Sequence, residues 1–134
     1  MQANRDKCRH NDIMYKASKK DLEVFKTEAK KWIRVFGLVD WEIVYGYDEA
    51  NDCRASCTAD KESMIALIYL SRDWNTYKPK LSEIRKMAFH EVCELLLAKF
   101  RLGAEDRYTT EDELETERHA IIRVLENTIY RKVL

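Results

Sequence analysis

The sequence predicts an α+β domain, and three observations carry that expectation. Apolar residues recur at helical spacing from about 18 to 36. The pattern turns to strand-like runs between 41 and 71, and helical spacing returns from about 81 onward. The predicted order is therefore one helix, a three-stranded sheet, a central helix and a C-terminal helix, within a single domain spanning 1–134.

Each element has its own signal. Residues 1–15 are polar and irregular and read as a loosely packed N-terminal arm. Ser18-Lys19-Lys20-Asp21 resembles a capping box, with an acid three residues after the cap. Leu22, Phe25, Ala29, Trp32, Ile33 and Phe36 then form an apolar stripe, and Gly37 stands where a left-handed C-cap belongs. WEIVYGY (41–47) alternates and is rich in aromatic and β-branched residues. A second strand over 52–59 puts Cys53, Ala55, Cys57 and Ala59 on one side. MIALIYLS (64–71) is more continuously apolar, as expected of a strand covered on both faces. The short polar turns EAND and DKES favour a meander. After RDWNTYKPK, residues 81–100 keep helical period and are apolar on nearly all sides, which marks a buried central helix ended by Gly103. Thr110-Glu111-Asp112-Glu113 is a second capping box. It opens a last helix whose stripe is Leu114, Ile121, Ile122, Leu125 and Ile129.

Composition narrows the function classes. With 24 basic and 24 acidic residues the formal charge is zero, so no global field favours nucleic acid or an anionic membrane. The lysines of the first helix read as a solvated face, and Phe25, Trp32 and Phe36 fall on its core stripe, unavailable for stacking on bases. No apolar run approaches the ~18 residues of a membrane span, and the N-terminal residues lack the apolar core of a secretory signal. These features predict a cytoplasmic protein. Cys53 and Cys57, four apart in a strand at ~3.3 Å per residue, would sit ~13 Å apart and outside disulfide range. Reduced thiols are expected.

The chemistry concentrates in MAFHEVCELLLAKF, 87–100. His90 and Glu94 are four apart on one helical face and can grip one ion between them. Glu91 projects about 100° round the helix. From there it can reach a metal-bound water without being a ligand, which is the general-base position of an H-E-x-x-H helix. Here Glu94 replaces the second histidine. Histidine and carboxylate are both ordinary zinc donors, and a hydrolytic site wants two imidazoles and one carboxylate. That charge balance points to His119, on the last helix, as the third ligand. Glu117 competes: on an ideal helix it faces inward with Leu114 and Leu125, whereas His119 is turned about 160° from Ile121. Two carboxylates would leave a poorer Lewis acid, so the expected set is His90, Glu94 and His119, with Glu91 as catalytic base.

HEVCELLL followed by ERHAIIRVLEN resembles the small zincin-like metallopeptidases encoded by phages and prophages, and more distantly minimal zincins of SprT type. The resemblance extends over the WEIVYGY, CRASCTAD and IALIYLSRDW segments. It implies a minimal zincin-like fold, Zn(2+) as cofactor, metal binding by His90 and Glu94, a base at Glu91 and a contribution from the HAIIRVLEN helix that matches His119. It also implies a protein or peptide substrate and a phage or host protein partner. The departure from H-E-x-x-H at Glu94 bears on catalysis more than on metal binding. The alternative class is a non-catalytic metal-binding or interaction protein with the same fold.

Plainer readings stand beside these. His90 could be a core histidine satisfied by a carboxylate, and His119 a surface histidine beside Arg118 and Arg123. Two carboxylates on an otherwise apolar helix are harder to explain without a partner, because burying them is costly. Tyr108 and Tyr130 are packing residues or donors to a transition-state oxyanion. Cys8 and His10 with Cys53 and Cys57 could make a structural zinc site, though the spacing matches no standard knuckle.

Overall fold

The structure, a computed structural model, describes residues 13–49 and 53–133. Helix α1, Lys19–Val35, starts at a complete capping box: Ser18 Oγ accepts from the Asp21 N–H and the Asp21 carboxylate accepts from the Ser18 N–H. It ends at Phe36, and Gly37 takes the left-handed conformation at φ +66°, which a side chain would strain. Phe25 and Ala29 are fully buried, and all six residues of the expected stripe lie in or against the core.

Three strands follow: β2 (Glu42–Asp48), β3 (Ala55–Asp60) and β4 (Ile65–Ser71). Their order is β2-β4-β3, with β2 parallel and β3 antiparallel to β4, which corrects the expected meander. The third strand inserts between the first two because it is the most apolar. Ala66, Ile68 and Leu70 on its inner face are fully buried. Ile43, Tyr45 and Tyr47 on one side and Ala55, Cys57 and Ala59 on the other pair with them across the sheet. The outer face is not covered, contrary to expectation: Ile65 and Leu67 keep about 40% and 39% of their surface exposed. Tyr69 lies across β2 on this face at Gly46, where an added Cβ would come within 2.8 Å of its ring.

A two-stranded antiparallel ribbon closes the sheet's end, built from β1 (Tyr15–Lys16) and β5 (Asp73–Asn75). Tyr15, assigned to the arm by sequence, is therefore in a strand. Trp74 of β5 is fully buried, with its indole N–H donated to the Ser71 carbonyl and the Arg54 guanidinium over its ring.

Helix α2, Leu81–Glu105, runs through Gly103, which is buried within it and does not end it. Ile84, Ala88, Val92, Leu95 and Ala98 are fully buried. An aromatic triangle of Trp32, Phe36 and Phe89, with centroids 4.7–6.3 Å apart, joins α1 to α2. The far side of α2 faces β3. Helix α3, Glu111–Leu125, is capped by Thr110, which accepts from the Glu113 N–H. It continues through a π-helical turn, Glu126–Tyr130, into α4, Arg131–Val133. Its inward line is Leu114, Glu117, Ile121, Val124 and Thr128, one step round from the expected stripe. Ile122, Leu125 and Ile129 are exposed. No helix among the described residues is long and apolar enough to cross a membrane.

The buried and exposed isoleucines make a direct check. Ile84→Ala should cost about 2–5 kcal/mol in urea denaturation, and Ile122→Ala no more than about 0.5 kcal/mol. Equal costs would contradict the packing described.

Candidate functional site

The site grows out of one periodicity. Positions 84, 88, 91, 95 and 98 form the buried line of α2, so the helix carries Glu91 where an aliphatic residue would otherwise stand. Glu91 is only 7% exposed. Among the described residues it forms no hydrogen bond and no ion pair. Burial raises its pKa above the ordinary carboxyl value. The Glu94 charge adds to that rise, and His90 beside it opposes. A desolvated carboxylate without a partner is costly, and such groups concentrate at functional sites.

His90 and Glu94 flank this buried acid at the surface. Their side chains are 69% and 44% exposed, so His90 is not a core histidine. His90 Nε2 lies 3.6 Å from Glu94 Oε1, too long for a hydrogen bond. Tetrahedral zinc with bonds of about 2.0–2.1 Å separates two donors by about 3.4 Å. The pair therefore fits two corners of such a site with little movement.

Among the described residues no third corner is supplied. His119 is exposed on α3, and its Nδ1 meets the Glu115 carbonyl at 2.8 Å. Glu117 is the inward residue, as helix geometry predicts, and lines a cleft with Lys99, Leu95 and Trp41. Among the described residues no three His, Cys, Asp or Glu side chains gather to hold a metal ion. The structure thus brings His90, Glu91 and Glu94 together and leaves His119 apart. Cys8 and His10 of the other zinc reading lie outside the described residues. Tyr108 and Tyr130 are 77% and 60% exposed, which rules out the packing role for both.

One neighbour was missed in the sequence. Cys57, on the inner face of β3, sits close enough to feel the charges of Glu91 and Glu94. Burial first, then those two carboxylates, push its thiol up to about 11, against a smaller opposing effect of Arg101. Cys57 is therefore a protonated, unreactive thiol at neutral pH. Its place beside Ala55 and Ala59 was visible in the strand pattern, but nothing local in the sequence pairs it with Glu91. Cys53, Cys57 and Cys93 are all free thiols.

Two outcomes follow. In the window above the ordinary carboxyl value, folded Glu91 holds its proton more tightly than the unfolded chain does. Stability should therefore fall as pH rises through that window. Glu91→Gln should be more stable than wild type at pH 7, by on the order of 1 kcal/mol in urea denaturation. That advantage should shrink below about pH 4, and a less stable variant at pH 7 would contradict the desolvated carboxylate. Iodoacetamide at pH 7.5 should modify exposed Cys53 at least about tenfold faster than Cys57, and equal rates would contradict the raised thiol. No family model matches this chain, and neither a curated protein nor a solved structure matches it.

Proposed function

We propose that this chain is a zinc-dependent hydrolase of zincin type acting on peptide bonds. The observation that carries the reading is Glu91, a buried carboxylate without a partner, one residue from the outward pair His90 and Glu94. Zinc, when bound, supplies a Lewis acid that lowers the pKa of a water and polarises a carbonyl. His90 and Glu94 hold it, and His119 or Glu117 is the candidate third donor. Glu91 accepts the proton of the attacking water and returns it to the leaving amine, and a raised pKa suits a base working near neutral pH.

The sheet favours an extended peptide as substrate. Strand β3 ends the sheet on the side of α2, and its outer edge pairs with no other strand among the described residues. A substrate strand added to that edge would pass beside Glu91. The second reading, a metal-binding or interaction protein without turnover, is favoured by the unassembled third ligand.

Elemental analysis and hydrolysis of a fluorogenic peptide mixture separate the two. Wild type and Glu91→Gln should each retain roughly one equivalent of zinc, and His90→Ala and Glu94→Ala should lose it. Hydrolysis should fall at least about 100-fold in Glu91→Gln. Zinc without hydrolysis in wild type would support the second reading, and no zinc in wild type would overturn the hydrolase and leave only an interaction protein.

A further inference from the structure

The opposite edge of the sheet carries a second, unrelated feature. Strand β2 ends the sheet on the side away from β3 and pairs only with β4 among the described residues. The Glu42 N–H is donated to the Met64 carbonyl, and the Asp48 carbonyl accepts from the Arg72 N–H. In a parallel ladder, alternate residues direct both backbone groups to the same side. Residues 42, 44, 46 and 48 therefore face β4, and Ile43 and Tyr45 turn their N–H and C=O groups to the open edge.

Helix α1 lies alongside that edge. Between them is a cleft of about 490 Å³ lined by Thr27, Lys30, Ile33, Arg34, Ile43 and Tyr45. Its floor is aliphatic and phenolic, and its rim is basic. Lys30 Nζ lies 5.8 Å and Lys26 Nζ 6.0 Å from the Tyr45 ring centre. Lys26 also pairs with Glu23 at 3.8 Å, whereas Lys30 and Arg34 have no ion pair among the described residues. A chain with equal numbers of acidic and basic residues thus concentrates unpaired positive charge beside an open β-edge.

We propose that this cleft docks an extended acidic peptide of a partner protein, added to β2 as a further strand. Three features select that occupant. The open backbone groups of Ile43 and Tyr45 match a peptide main chain, which supplies both donors and acceptors. Lys30 and Arg34 are one turn apart, about 6 Å along the helix. Alternate side chains of a strand repeat at about 6.7 Å, so acids two residues apart reach both cations. A glutamate lays its methylenes over Ile33 and Ile43 and carries its carboxylate to the rim. Nucleic acid is a poorer match, because Phe25 and Phe36 are buried and the half-buried Trp32 packs against Phe36 and Phe89.

The probe is a fluorescein-labelled nine-residue peptide of alternating Thr and Glu, followed by anisotropy with the whole chain. Binding should weaken at least about tenfold in Lys30→Glu/Arg34→Glu. These two surface residues can be changed with the fold intact, which circular dichroism checks. A version of the peptide N-methylated at alternate residues, in the register that faces β2, should also bind at least about tenfold more weakly. Equal binding by the charge-reversed variant, or by the N-methylated peptide, would overturn the proposal. So would tighter binding of a nine-nucleotide single strand than of the peptide. Self-association of wild type abolished by the charge reversal would assign the edge to a second copy, and also overturns it.

Discussion

Packing α2 against two surfaces at once is the constraint on which the rest of the structure depends. One side of the helix meets α1 through Phe89 and the Trp32–Phe36 pair. Another meets the inner face of the sheet, where Ala55, Cys57 and Ala59 of β3 leave room for it. Small residues on β3 and fully buried Ala88 and Ala98 on α2 let backbone approach backbone. With the helix fixed on both sides, its rotation is fixed too. Glu91 then has to lie inside, while His90 and Glu94 have to lie at the surface beside it.

That arrangement sets two effects against each other. Aliphatic burial along Ile84, Val92 and Leu95 stabilises the fold, at about 1.5–3 kcal/mol for each large side chain fully buried. Desolvation of Glu91 opposes it, and the neighbouring His90 offsets that cost in part. The aliphatic contribution is the larger, so the helix stays in place and the acid stays in. Cys57 shares the same low-dielectric space, and the same two carboxylates hold its proton on. The polarity that the fold tolerates at this one point is what a proton-transfer group requires.

Much of this was legible from local patterns. Ser18, Gly37 and Thr110 mark helix ends through backbone chemistry that acts within four residues, and the structure places all three as caps or just past one. The α1 stripe and the His90–Glu94 pairing follow from the helical period alone. Strand order does not, because which strand lies in the middle depends on how the apolar faces share the core. The last helix was misread by one step. Its inward line includes Glu117 and Thr128, and its outward one includes Ile122 and Leu125, so hydrophobicity ran against the packing. His119 depends on that rotation, and ligand chemistry could not supply it. That Glu91 stands on a buried helix was legible from the apolar pattern, but not that β3, more than thirty residues away, is laid across it.

Glu91 is a largely buried carboxyl whose burial outweighs the opposing effect of His90. The most direct test is a ¹³C NMR titration of its side-chain carboxyl, assigned by comparison with Glu91→Gln. A midpoint above the ordinary glutamate value of about 4.3 is expected. A midpoint at or below that value would mean that Glu91 is solvated or paired, and the site would lose its base.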